Sequence, residues 1–414
     1  MMNKSGNRPL LSFSVCAYQQ ERFIREAVEA ALAQTYSPLE IILSDDCSTD
    51  RTFEIMRELA DNYHGPHQLV LNRNATNLGI ARHVNRITEL VHGELSIGAA
   101  GDDISLPNRV EEVYKAWEHS NRKATGILSN YIAIDEAGCV LNESTDLTVT
   151  EPAGLPRQKT MLENYAGSWV AEMQANLVPI NETGSVWGES TDSTVTEPAG
   201  LPKPNPMLES YVNARETGVV GCALAGIPGV FSVFGPLPDA LVHEDQAIAL
   251  RELCLGSFLF IRTPLIKRRF HEHNLYSRRH KLAATWDAVK QQENYMMRDA
   301  GNRRVIYEVF LSDLQTAKTK NLIGEEQWGR LKNVCLHRRQ LFGYQAEYPR
   351  ATLARKFQIL LSTWRVQGGG KLIRWMLLRL MPAPLFCSLK VVGNSTRLRL
   401  KPYRRTNPAD GSIK

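Results

Sequence analysis

Apolar and polar positions alternate between two periods along the first third of the chain. Residues 10–18 form a short apolar run with the length of one buried strand. In residues 21–34, Ile24, Ala27, Val28 and Ala31 recur three and four apart, which predicts a helix with one inward face. Residues 40–44 predict a second, mostly buried strand, and Ser48, Thr49 and Asp50 behind it offer side-chain oxygens suited to an N-cap. The helix they would open turns Phe53, Met56, Leu59, Ala60 and Tyr63 to one side. A short strand over 68–71 follows. A helix over 80–91 then buries Ile80, Val84, Ile87, Leu90 and Val91, a strand spans 95–99, and Pro107 starts another helix. Such βαβα alternation predicts a parallel sheet with helices on both faces. Beyond residue 281 the pattern turns helical, over 283–300, 303–322, 325–344 and 353–366, with Met296, Met297, Trp328 and Leu331 as its core.

Composition narrows the class. A chain of 414 residues is long enough for two domains, and 43% hydrophobic with 22% charged residues is an ordinary soluble profile. The seven cysteines form no CxxC pair, which suggests reduced thiols and a cytoplasmic setting. The run at 10–18 passes straight into a helix pattern with no small-residue cleavage site, so it reads as a strand rather than a leader. No stretch approaches the roughly 18 uninterrupted apolar residues of a spanning helix.

Net charge of +5 conceals an asymmetry, because residues 368–414 hold ten Lys and Arg against Asp410 alone. A basic tail seeks an anionic partner. Within it, residues 371–381 interleave Leu, Ile, Trp and Met with Arg374 and Arg379, which suits an anionic membrane surface on the inner face of the plasma membrane. A packed or solvated helix and nucleic acid are the competing readings of the same residues.

Two acidic pairs carry the candidate chemistry. Asp45 and Asp46 end the second strand, and Asp102 and Asp103 follow Gly101 at the end of the strand over 95–99. Both pairs fall on the carboxyl edge of the predicted sheet, where ligands bind in open α/β folds. A carboxylate there accepts hydrogen bonds from a base or ribose and repels phosphate, so Asp46 belongs at a nucleoside. Mg²⁺ and Mn²⁺ bind through one or two carboxylates plus substrate phosphates, a use open to Asp102 and Asp103. A solvent-facing turn that caps the next helix is the plainer alternative.

The segments SVCAYQQERFIREAVEAALAQTY, LEIILSDDCSTD, NLGIARHVN and HGELSIGAAGDDISLPNRV, in this order and spacing, resemble the family 2 nucleotide-sugar glycosyltransferases. VFGPLPDALVHEDQAIALR and RRFHEHNLYS resemble that family's acceptor-side Glu-Asp segment and its closing segment. The resemblance implies a GT-A type, Rossmann-like, mostly parallel α/β sheet flanked by helices, over residues 1–281. A nucleotide half would span about 1–128, an insert about 130–211 and an acceptor half about 212–281, with a helical C-terminal appendage over 282–414. It implies that Ala17, Tyr18, Glu21, Asp46, Asn77, Gly79 and Asp102 contact the nucleotide. Asp103 and His271 would hold a divalent metal, Mn or Mg, and Arg269 and Asn274 would close over the diphosphate. Asp245 would be the base of a single inverting displacement, oriented by Glu244. The implied donor is a UDP- or dTDP-sugar and the acceptor a glycan or lipid-linked hydroxyl, in bacterial surface polysaccharide assembly, with no nucleic-acid partner.

Three departures matter. Ala100 stands where many members carry the leading Asp of an Asp-x-Asp-Asp run, Cys16 to Gln19 replace the usual Pro-Thr-Tyr-Asn, and the Gln-x-x-Arg-Trp segment of processive synthases is missing, which points to single-sugar transfer. Residues 130–165 repeat as 176–211 at 22 of 36 positions. Two copies are too few for a solenoid, so the repeat reads as a surface excursion, either a flap over the acceptor or a tolerated duplication. With Ala100, it keeps a catalytically inactive, sugar-nucleotide-binding relative as the rival reading. A dinucleotide dehydrogenase is disfavoured, since no GxGxxG follows the first strand.

Overall fold

The computed structural model describes residues 8–141, 205–214, 219–271, 274 and 285–364, with single positions 373, 376, 377 and 380. Strands β1 (Leu11–Ala17), β2 (Leu39–Asp45), β3 (Gln68–Arg73) and β4 (Ser96–Ala100) run parallel, with β1 between β2 and β4. Strands β5 (Ile104–Ser105), β6 (Ala124–Ile134), β7 (Leu224–Gly226) and β8 (Ser257–Arg269) complete an eight-stranded sheet ordered β3-β2-β1-β4-β7-β6-β8-β5. The short β7 is antiparallel to both β4 and β6, so the strand direction reverses there. Both faces of the parallel half are covered by helices, which is why β2 is buried at every position instead of alternating.

Helices α1 (Ile24–Leu32), α2 (Thr52–Asp61), α3 (Ile80–Leu90) and α4 (Arg109–His119) follow the predicted order. The expected face of α1 is the buried one, and it joins Leu11, Phe13, Val15, Ile41, Leu43 and Ile97 in the main core. Two faces differ from expectation. Helix α2 buries Thr52, Ile55 and Met56, leaving Phe53 half-buried beneath the Arg73 guanidinium, 4.8 Å from its ring. Helix α3 turns Ala81, His83 and Ile87 inward, and Val84 only partly, because a polar network under β1 and β2 recruits His83.

Later elements are α5 (Pro206–Asn213), α6 (Gly229–Phe234), α7 (Glu244–Leu255), α8 (Trp286–Thr319), α9 (Glu325–Glu347) and α10 (Leu353–Trp364). Helix α8 is one element of 34 residues where the sequence suggested two. Gly301 costs about 1 kcal/mol relative to Ala in a helix interior. Burial of Ala300, Ile306, Phe310 and Leu314 on its flanks outweighs that cost.

The chain divides into two compact units, one of residues 1–271 and 305–336, the other of 272–304 and 337–414. The division differs from a boundary at 281, because buried polar contacts recruit residues 305–336 to the first unit. Arg251, 2% exposed, donates from Nε and Nη2 to the carboxylate of Asp313 at 2.8 and 3.2 Å, and Gln327 exchanges hydrogen bonds with the Asn205 backbone. Of the repeated stretch, only 130–141 and 205–211 are described, and both ends are structural. Asn130 lies in β6, and Tyr211 is fully buried in α5, its hydroxyl donating to the Gln246 carbonyl. The middle of the repeat, and most of the basic segment 368–414, lie outside the described residues. Among the described residues no helix is long and apolar enough to cross a membrane.

Candidate active site

Strand order changes direction between β1 and β4, and the register places Ala17 beside Asp45 and Cys16 beside Ala100. Both acidic pairs therefore flank the carboxyl end of β1, at the kind of switch point that opens a binding crevice. The β1–α1 turn is tight: Gln19 has φ of 55°, and three successive N–H groups point at the β2–α2 loop. Gln19 N–H donates to Ser48 Oγ at 2.9 Å, Gln20 N–H to Thr52 Oγ1 at 2.8 Å and Glu21 N–H to Asp50 Oδ2 at 3.1 Å. Glu21 returns a bond, its Oε2 accepting from Arg51 N–H. The polar cluster expected to cap α2 is thus spent mainly on joining two loops, and only Asp50 bonds the helix start, through Thr52 N–H. Gly101 closes the same corner, since a Cβ there would collide with Gln20 Oε1, Ile24 Cδ1 and Ala17 Cβ. Ala17 is buried, whereas Tyr18 is 46% exposed at the mouth.

Asp46 is 3% exposed and occupied. Its Oδ1 accepts from Asn74 Nδ2 at 2.8 Å and Leu78 N–H at 2.9 Å, and its Oδ2 accepts from Gly79 N–H at 2.9 Å. Gly79 has φ of 77°, a left-handed conformation that favours glycine, and Asn77 Oδ1 accepts from the same N–H at 3.0 Å. Asp46, Asn77 and Gly79 therefore form one anchored loop. The network continues inward from Asn74 Oδ1 to Asn72 Nδ2, to Ser44 Oγ, and on to His83, whose Nε2 lies 2.7 Å from Ser44 Oγ and Nδ1 3.2 Å from Cys16 Sγ. Burial holds the His83 pKa below its ordinary value, so the ring is neutral.

On the other side of β1, Asp102 Oδ2 lies 2.9 Å from His271 Nε2, and the imidazole packs on Phe23 with ring centroids 4.8 Å apart. Asp103 Oδ1 accepts from Arg269 N–H at 2.8 Å. Burial, with the Asp102 charge beside it, pushes the Asp103 carboxyl up to about 7. Arg269 is 1% exposed and its guanidinium is used internally, donating to the carbonyls of Asp102, Asp135 and Glu136 and to Glu26 Oε2. It locks the end of β8 to the acidic turn. Successive strand residues point to opposite sides, so the neighbouring Arg268 takes the other face. Its charge lowers the pKa values of both Asp103 and Asp245, and its guanidinium lies over the rings of Tyr131 and Phe270, 5.2 and 5.0 Å from their centroids. The sequence carried that signal in the paired arginines; the choice between them needed the strand.

Glu244 and Asp245 open α7, and the 3₁₀ turn Gly221–Ala223 packs against them, with Gly221 facing Asp245 Cβ. Burial pushes Asp245 up to about 6, opposed by the Gln246 N–H, the Arg268 charge and the Gly221 N–H. Burial and the Asp245 charge hold Glu244 well above the ordinary glutamate range. Asn274 is half-buried in the second unit.

Adjacent ligands about 2.1 Å from an octahedral Mg²⁺ lie about 3 Å apart. Asp102 Oδ2 and His271 Nε2, 2.9 Å apart, fit that spacing, whereas Asp103 is engaged by the β8 backbone. Among the described residues no group of three or more His, Cys, Asp or Glu side chains is placed to cage a metal. A hard cation here would complete its shell with substrate oxygens and water.

The profile of "Glycosyl transferase family 2" matches residues 12–151. The chain is 32% identical over 131 residues to EpsE of Bacillus subtilis (strain 168), covering 31% of this chain and 46% of that protein. It is 30% identical over 135 residues to an uncharacterized glycosyltransferase of Haemophilus influenzae, covering 32% and 41%. The matched stretch thus spans less than half the length of either relative. The crystal structure of S. aureus TarS 1-349 in complex with UDP-GlcNAc aligns over 97% of this chain and 95% of that one, at 14% identity and a TM-score of 0.49. Residues 12–151, which include the parallel part of the sheet, are thus similar to glycosyltransferase family 2.

Proposed function

We propose that the protein is an inverting glycosyltransferase that moves one sugar from a nucleotide-diphosphate sugar, UDP- or dTDP-linked, to a hydroxyl of a glycan or lipid-linked acceptor in bacterial surface polysaccharide assembly. The observation that carries the reading is Asp245, a carboxylate pushed up to about 6 at the start of α7, against Gly221 and within the field of Arg268. A base with a pKa near the working pH combines availability with proton affinity. Asp245 takes the acceptor proton as the oxygen attacks the anomeric carbon from the face opposite the departing diphosphate. Glu244, its pKa raised by burial and by the Asp245 charge, orients the acceptor. Tyr18 offers its exposed ring to the base of the nucleotide, and the loop held by Asp46 walls the nucleoside. Arg268 supplies positive charge where the diphosphate leaves. A divalent cation held by Asp102 and His271 would add Lewis-acid stabilisation of that leaving group.

A metal-dependent thermal shift with UDP- or dTDP-sugars, followed by NMR of the product anomer, tests the reading. Inversion of the anomeric configuration supports it, and retention removes the single displacement. A catalytically inactive nucleotide-sugar binder is the second reading, favoured by Ala100 and by the engaged oxygens of Asp46. Donor stabilisation without transfer or donor hydrolysis would select it.

A further inference from the structure

Helix α10 carries an apolar face that nothing among the described residues covers. Leu353 is 63% exposed, Phe357 52% and Leu361 60%. Spaced four apart, they lie within about 80° of one another around the helix and form a single stripe. The other side of α10 is already satisfied: Ile359 is fully buried with Tyr348 and Met376, and Thr363 is buried beside Met376. The stripe is therefore not a core face awaiting that packing. Monomers rarely leave aligned large apolar side chains in water unless the patch meets a partner.

The surrounding charge selects the partner. From Tyr348 to Ala409 the sequence contains 13 Lys and Arg and no Asp or Glu. In the same unit, a groove of about 600 Å³ is lined by Arg298, Arg350, Asn294 and Tyr295 with no carboxylate among its lining residues, and Arg350 lies three residues before Leu353. Amide, hydroxyl and guanidinium donors of this kind suit a phosphate headgroup. An apolar stripe within an acid-free, cationic stretch has the character of a helix that lies in a lipid interface, and α10, at 12 residues, is too short to span one.

We propose that α10 is a membrane-docking helix, with Leu353, Phe357 and Leu361 seated among the acyl chains of an anionic lipid surface and the neighbouring arginines meeting its phosphates. The inference goes beyond the transfer reaction and holds whether or not the chain is catalytic. It places the contact on the exposed side of α10, opposite the side on which Met376 packs.

Flotation of the full chain with phosphatidylcholine vesicles, with or without 30% phosphatidylglycerol, tests it. The protein should float with the anionic vesicles and remain behind with the neutral ones. The double variant Phe357→Asp, Leu361→Asp should lower the partition coefficient at least about tenfold, because two large apolar groups leave the interface. Its melting temperature should match the parent, since both positions are more than half exposed. Leu353→Asn, a milder change, should give an intermediate loss. Failure of the parent to float with anionic vesicles overturns the proposal, as does parent-like flotation of the double variant. A dimeric parent that becomes monomeric on substitution, with no change in flotation, would assign the face to a second copy.

Discussion

Asp46 is buried and Asp245 half-buried, and the two carboxylates are held for different purposes. Asp46 gives its oxygens to Asn74, Leu78 and Gly79 and fixes a loop. Asp245 has the Gln246 N–H at 2.8 Å, the Gly221 N–H, its own N–H and the charge of Arg268 set against its burial, and its pKa stays raised to about 6. Each accepts three donors, but those of Asp46 belong to the 74–79 loop, whereas those of Asp245 belong to the start of α7 and to Gly221. Neither proximity to a site nor the number of donors tells them apart, whereas the segments those donors hold together do.

The largest expected effect that would break this contrast is loss of the base. Asp245→Asn should lower kcat/KM by about 10²–10⁴-fold, the typical share of general-base catalysis. Donor affinity, measured by calorimetry, should stay within a few-fold, because the base acts on the acceptor; a collapse of donor binding would move Asp245 to the donor side. Asp46→Ala should cost about 2–3 kcal/mol in urea unfolding, since buried donors lose their acceptor, and should weaken donor binding through the loosened loop. Weakened donor binding at unchanged stability would instead make Asp46 a direct reader of the base.

The pH profile sharpens the comparison further. Asp245 acts when deprotonated and its pKa is raised to about 6, so kcat/KM should rise as pH increases through 6. Arg268 lowers that pKa, so Arg268→Gln should shift the acid limb to higher pH. An unmoved limb would separate Arg268 from the base.

Glu252, two turns further along α7, supplies the smallest test. Burial alone raises its pKa well above the ordinary value, and its carboxyl packs between Gly126 and Gly226. The folded state therefore retains a proton that the unfolded chain releases, and stability falls as pH rises above the unfolded glutamate value. Glu252→Gln removes that dependence. Urea midpoints should decline less between pH 5 and 9 in the variant, and parallel profiles would mean the side chain is already ionised.

The parallel half of the sheet was legible because β1, β2 and β4 are apolar runs whose burial depends on local pattern, and α1 presents the face that its spacing predicts. The polar cluster of Ser48, Thr49 and Asp50 misled as a cap, because the N–H donors that Ser48 and Asp50 satisfy include those of a loop about thirty residues earlier. Arg269 misled similarly. A cation near acidic residues suggests a phosphate ligand, but full burial turned it into a backbone clamp and left Arg268 to face the carboxylates.

By itself the sequence determined the order of elements, the carboxyl edge on which Asp46, Asp102 and Asp103 fall, and the basic, acid-free character of the C-terminal stretch, because periodicity and charge are local properties. Tertiary structure decided which carboxylate anchors a loop and which keeps a raised pKa, that Asp102 rather than Asp103 meets His271, and that residues 305–336 join the first unit. The physical reason is desolvation and the source of the donors. Each is set by neighbours distant in sequence, and no local pattern encodes which N–H groups will reach a given oxygen.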